Sequence, residues 1–146
     1  MAKVCQLFSG SSGNSILVSS SGHNYLVDIG VSAKKCENGL NQIGIEPGSI
    51  EGIFVTHEHG DHAKGVRVFA NRYKIPVYAS KLCYDELYRQ GFADDKTNLN
   101  IIEITLSLTE LMPKHFTKAM TASTALATDL IFLTEEVLPS APIPAL

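Results

Sequence analysis

The chain has 146 residues, 45% of them hydrophobic, with 12 basic and 15 acidic side chains and a formal net charge of −3. That length and apolar share suit one ordinary domain, and the slight acidity excludes a general basic field for gripping nucleic acid, so a polyanion would have to be held locally, by a metal or a small patch. No run approaches the ~18 apolar residues of a membrane span, and the opening MAKVCQLFSGSSGNS lacks a signal-peptide core, which predicts a cytoplasmic protein with no membrane partner.

Residues 3–8 (KVCQLF) and 15–20 (SILVSS) read as short strands around the turn-rich GSSGN, and 25–29 (YLVDI) as a third, together an antiparallel meander. Ser32 is placed to cap a helix whose apolar face is Ala33, Cys36, Leu40 and Ile43, closed by Pro47-Gly48. Residues 50–56 (IEGIFVT) form the next strand, followed by a helix with Ala63, Val66, Ala70 and Tyr73 on one face. A short strand at 75–79, a helix capped by Ser80 and carrying Cys83, Leu87 and Tyr88, and a strand at 98–105 complete the alternation, which predicts a sheet covered by helices. Beyond residue 106 no steady period survives, and Pro139, Pro142 and Pro144 mark an irregular tail over 139–146.

The strand at 50–56 runs into VTHEHGDHAKG, which gathers His57, His59, Asp61 and His62 from a chain with five histidines in all. Imidazole nitrogens and carboxylate oxygens are the donors that borderline divalent ions take, and a loop leaving a buried strand can aim several of them at one spot. His57 and His59 have that two-residue spacing; Asp61 and His62, after the flexible Gly60, can turn back to serve a second ion. Asp61 has a rival role as cap of the following helix, and Glu58 reads as solvated. Asp28, at a strand end before a glycine, reads either as a turn residue or as an acceptor that orients a ligating imidazole. GSSGN lacks the GK[ST] of a phosphate-binding loop and reads as a tight turn; His23 and His115 read as exposed. Cys5, Cys36 and Cys83, odd in number and outside any CxxC pair, read as buried small apolar side chains.

THEHGDH at 56–62, between an apolar strand and a helix, resembles the HxHxDH signature of the metallo-β-lactamase superfamily. FSGSSGNSILV at 8–18 and YLVDIG at 25–30 add a likeness to its YycJ/WalJ-type metallohydrolases, and the likeness is strongest over 3–105. The resemblance implies an α+β fold, the αββα sandwich, with a metallo-β-lactamase-like domain over 1–138. It implies two divalent ions, zinc or manganese, with His57 and His59 on the first, Asp61 and His62 on the second, and Asp28 in support. Asp61 would also orient a metal-activated water for attack on a phosphodiester, with DNA as substrate in a 5′ to 3′ exonuclease-like reaction. TDLIFLTEEV at 128–137 is similar to the family's TDLG-like segment and nominates Asp129 as bridging ligand, with Ile131 where a glycine is expected.

The family's two later histidine ligands have no counterpart, because His115 is the only histidine after position 62 and its PKHF setting does not match. The expectation is therefore an N-terminal half joined to an atypical tail. An out-of-frame reading of Ala119-Met120-Thr121 can spell the missing His-Asp pair, which suggests a frameshift within 106–125. An incomplete sandwich would expose apolar surface and favour self-association. Two rival functions stand beside the nuclease: a metal-binding remnant without turnover, and a hydrolase of another ester, thioester or lactam on the same fold.

Overall fold

The computed structural model describes residues 2–102. They form one six-stranded mixed sheet with strand order β1-β2-β3-β4-β5-β6. The strands are β1 (Ala2–Phe8), β2 (Ser15–Ser20), β3 (His23–Val27), β4 (Ile50–Phe54), β5 (Val77–Ala79) and β6 (Leu99–Ile101). The first three pair antiparallel, and β3 through β6 run parallel. Connection length decides which. The turn from β2 to β3 is Ser21-Gly22, both with positive φ (53° and 87°), the primed geometry that suits a two-residue hairpin. Each parallel crossover instead carries helix: α1 (Ala33–Gln42), the pair α2 (Gly60–Ala63) and α3 (Val66–Tyr73), then α4 (Lys81–Arg89).

Strand pairing aligns Cys5, Leu17, Leu26, Ile53, Val77 and Leu99 in a single row across all six strands. That row packs into one apolar cluster with Cys36 and Leu40 of α1, Val66, Phe69 and Ala70 of α3, and Cys83 and Leu87 of α4. Leu26, Ile53, Val77 and Phe69 are wholly buried, each contributing about 1.5–3 kcal/mol of apolar burial. The neighbouring row, Gln6, Ile16, Val27, Phe54, Tyr78 and Asn100, has the opposite parity and so faces the other side, where the Phe54 and Tyr78 rings stack at 5.0 Å. This is the helix-covered, α+β half of the expected sandwich; the expectation of a second sheet falls outside the described residues.

Helix ends follow the sequence signals, with corrections. Ser32 and Ser80 cap α1 and α4 through their hydroxyls, accepting from the amides of Lys35 and Cys83. Helix α1 stops earlier than Pro47: Gly44 takes φ 74°, and the amides of Gly44 and Ile45 donate to the carbonyls of Asn41 and Leu40 in a Schellman closure, which leaves Ile43 exposed. Pro47 instead opens a 3₁₀ turn, Pro47–Ser49. The helix expected through 63–73 is broken at Gly65, where a Cβ would sit 2.3 Å from the Val31 carbonyl oxygen. Strand β3 begins at His23 rather than Tyr25, and His23 is half-buried with Nδ1 2.7 Å from Glu51 Oε1, not free in a turn. Buried Glu37 of α1 meets Arg72 of α3 in an ion pair that joins the two helices. Among the described residues no helix is long and apolar enough to cross a membrane.

Candidate metal centre

The site is built where the antiparallel and parallel parts of the sheet meet. Strand β3 ends because Asp28 adopts φ 61°, a left-handed conformation unfavourable to most side chains and tolerated best by Asn and Asp among non-glycine residues. The turn is pinned on three sides. The Asp28 amide donates to the Phe54 carbonyl at 2.8 Å, the buried Ser15 hydroxyl donates to the Asp28 carbonyl at 2.8 Å, and the Ile29 amide donates to the His62 carbonyl at 2.8 Å. The result places a carboxylate, 4% exposed, directly beneath the histidine loop.

That carboxylate accepts three hydrogen bonds: from the Thr56 amide at 2.8 Å, the Thr56 hydroxyl at 2.6 Å and His62 Nδ1 at 2.7 Å. Because an ionised carboxylate cannot donate, His62 must carry its proton on Nδ1, which turns Nε2 outward. There Nε2 lies 3.6 Å from Asp61 Oδ2. The Thr56 hydroxyl oxygen is also 3.0 Å from His57 Nδ1. His57, Asp61 and His62 each offer a ligand atom, and these atoms lie within 4.8 Å of one another. The His57 and His62 ring centroids are 3.8 Å apart.

Of the residues nominated from sequence, the structure thus brings together His57, Asp61 and His62, with Asp28 beneath them. His59 is exposed; its ring stands edge-on to His57 with centroids 4.9 Å apart, and it is not one of the converging group. It occupies the N-cap of α2 without a side-chain bond, so the capping role weighed for Asp61 is not taken by Asp61, which lies within the helix's first turn. Glu58 is half-buried rather than fully solvated. Asp129, His115 and the stretch 106–125 lie outside the described residues. The Cys36 and Cys83 thiols are buried and pushed up to about 12, so neither offers a thiolate, and Cys5 is only half-buried.

Two residues that sequence reasoning passed over complete the site. Thr56 is one. Asn14, the last residue of GSSGN, is the other: its backbone amide donates to the Asp61 carbonyl at 2.8 Å and its side-chain amide lies 3.3 Å from both that carbonyl and His62 Nε2. The Asn14 orientation is determined, since Oδ1 accepts from the Gly10 amide while Nδ2 faces acceptors. The three segments touch only because two glycines lack side chains: a Cβ on Gly30 would fall 1.6 Å from the Asp61 carbonyl oxygen, and one on Gly13 2.5 Å from that of Gly30. The pattern GSSGN was legible as a turn, but its contact partners were not.

The two inner imidazoles are tuned apart. The hydrogen bond to Asp28 and the charges of Asp28 and Asp61 raise His62 above the ordinary histidine value, against its partial burial. Burial and the neighbouring His62 lower His57, outweighing Asp28 and Glu58. Neutral imidazole nitrogens beside a carboxylate oxygen are the donor set of a borderline divalent ion, so these residues fit a metal of that kind.

Comparison with known proteins agrees. The family model described as the metallo-beta-lactamase superfamily matches residues 9–123. An exodeoxyribonuclease YycJ of Bacillus anthracis is 41% identical over 81 residues, covering 56% of this chain and 31% of that protein. An exodeoxyribonuclease WalJ of Streptococcus pneumoniae is 44% identical over 100 residues, covering 67% of this chain and 37% of that protein. The chain therefore spans about a third of the length of these relatives. Among solved structures, a B3 metallo-β-lactamase with an active-site glutamic acid shares the fold, with a TM-score of 0.56 and 20% identity over 68% of this chain and 42% of that one. With the matched span covering most of the chain and the histidine loop folded onto Asp28, the protein belongs to the metallo-β-lactamase superfamily.

Proposed function

We propose that this chain is a metal-dependent hydrolase of DNA phosphodiesters, with exonuclease-like action from a 5′ end. One observation carries the reading: His57, Asp61 and His62 converge over a buried carboxylate that holds His62 by Nδ1 and turns its Nε2 toward Asp61. The identity to two exodeoxyribonucleases supports DNA as the substrate class. In this reading His57 and His59 hold one divalent ion, Asp61 and His62 a second, and Asp129 contributes to both; zinc and manganese are the ions this donor set suits. An ion bound there supplies electrophilic pull on a phosphate oxygen and brings the pKa of a water toward neutrality.

The remaining work belongs to the chain's own side chains. Asp61, with 39% of its side chain exposed, is open to the solvent face and orients the attacking water by accepting its hydrogen bond. Asp28 keeps the His62 ring from turning over, and the Asn14 bonds fix the backbone from which Asp61 projects. A mildly acidic protein would then need no basic groove, because ions held by these residues would supply the positive charge that a phosphate needs.

The test is release of nucleotides from 5′-phosphorylated duplex DNA by the full chain supplied with zinc or manganese, beside His57→Ala and Asp61→Asn. Loss of release by about 100-fold or more in both variants is expected. Release that survives both substitutions removes this chemistry. An ion retained without release from DNA, but with turnover of another ester, thioester or lactam, reassigns the substrate, and retention without any turnover returns a metal-binding chain.

A further inference from the structure

The Thr56 side chain belongs to no ligand set, yet it lies between Asp28 and the first histidine of the loop. Its hydroxyl oxygen is 2.6 Å from Asp28 Oδ2 and 3.0 Å from His57 Nδ1. A hydroxyl has one hydrogen and two acceptor lone pairs. Two oxygens at 2.6 Å need a hydrogen between them, and the carboxylate, already accepting from the Thr56 amide and from His62, has none to give. The Thr56 hydrogen therefore points to Asp28. Only a lone pair is left for His57, so the hydrogen in that second contact must come from the imidazole.

We infer that Thr56 is a positioning residue that locks His57 in the Nδ1–H tautomer, leaving the Nε2 lone pair as the atom offered to the ion. The inference rests on the reading of His57 as a ligand. It extends to His57 what Asp28 does directly for His62: one buried carboxylate orders both imidazoles, one by contact and the other relayed through a hydroxyl. Ring orientation and tautomer fixed by an outer partner are a general means of raising metal affinity, and losing such a partner costs about 10- to 100-fold.

The test reads tautomers directly. Two-bond proton–nitrogen correlation spectra of the ¹⁵N-labelled, metal-free full chain, recorded at a pH where both imidazoles are neutral, assign His57 by its disappearance in His57→Gln. The wild type is expected to show His57 with Nδ1 protonated and Nε2 bare. In Thr56→Val the His57 signals move to the other tautomer or to a mixture, while His62, held by Asp28 itself, stays with Nδ1 protonated; a general loosening of the loop would move both. Thr56→Ser restores the wild-type pattern. Zinc affinity, by competition with a chromophoric chelator, falls about 10- to 100-fold in Thr56→Val and returns in Thr56→Ser. A bare His57 Nδ1 in the wild type overturns the proposal even if the valine variant does not fold, as does a valine variant with unchanged tautomer and affinity. Unchanged zinc affinity in His57→Gln overturns instead the ligand assignment beneath it, a separate failure.

Discussion

The histidine loop has two sides, and they are built differently. On the inner side, His57 and His62 rest against a buried carboxylate and a hydroxyl that together fix where each ring's protons lie. On the outer side, His59 is exposed and its ring stands edge-on to that of His57. Three residues of one type within one short loop thus carry unequal shares of structure. The rings of the inner pair are tied into the fold; the ring of the outer one is left for the metal role proposed for it.

Removing the inner support should produce the largest effect. Asp28→Ala strips one acceptor from three donors and leaves an alanine in a left-handed conformation, so unfolding in urea should show a loss of about 4 kcal/mol. A variant within 1 kcal/mol of wild type would mean that the two sides are supported alike. Next comes Gly30→Ala, which would drive a methyl group into the Asp61 carbonyl. We expect about 3 kcal/mol of destabilisation together with weaker zinc binding, since the backbone beneath Asp61 must retreat. Unchanged zinc affinity in that variant would separate the glycine contact from the site.

The pH response of the metal-free chain separates the two inner histidines from each other. His62 is raised above 6.5 in the folded state, so its contribution to stability is complete below about 6.5 and fades as pH rises through the folded value. His57, held below 6.5, acts in the opposite sense and costs stability as pH falls below that point. Proton NMR titration should therefore find His62 titrating above 6.5 and His57 below it, and Asp28→Asn should bring His62 down. The reverse order would contradict the inner-side geometry. The smallest effect is expected on the outer side: His59→Ala should change the stability of the metal-free chain by less than about 0.5 kcal/mol while lowering its capacity for zinc. A large stability loss there would erase the distinction between the two sides.

Much of the frame could be read from residue types. Apolar runs between turn signals marked β1, β2 and β4, serine caps marked the starts of α1 and α4, and the donor-rich loop stood out by composition alone. What could not be read are contacts that exist only once distant segments meet. Thr56 is an unremarkable strand-end residue until the parallel pairing of β3 with β4 brings it to Asp28. Gly65 looks like a tolerable helix residue until the Val31 carbonyl approaches and splits the helix in two. His23 reads as a turn residue because its partner, Glu51, lies on a strand that becomes its neighbour only in the sheet. Local pattern reports periodicity and chemical type; it is silent on which backbone oxygen will occupy the space above a glycine.

His57, Asp61 and His62 gather their ligand atoms above Asp28, and in the proposed reading each imidazole offers Nε2. Anomalous diffraction at the zinc edge from crystals of the zinc-loaded chain tests this most directly. Peaks are expected at two places, one in contact with His62 Nε2 and the Asp61 carboxylate and the other with His57 Nε2, at about 2.0–2.2 Å from each ligand atom. Zinc bound elsewhere, or reached through Nδ1 of either ring with the Asp28 and Thr56 bonds broken, would contradict it.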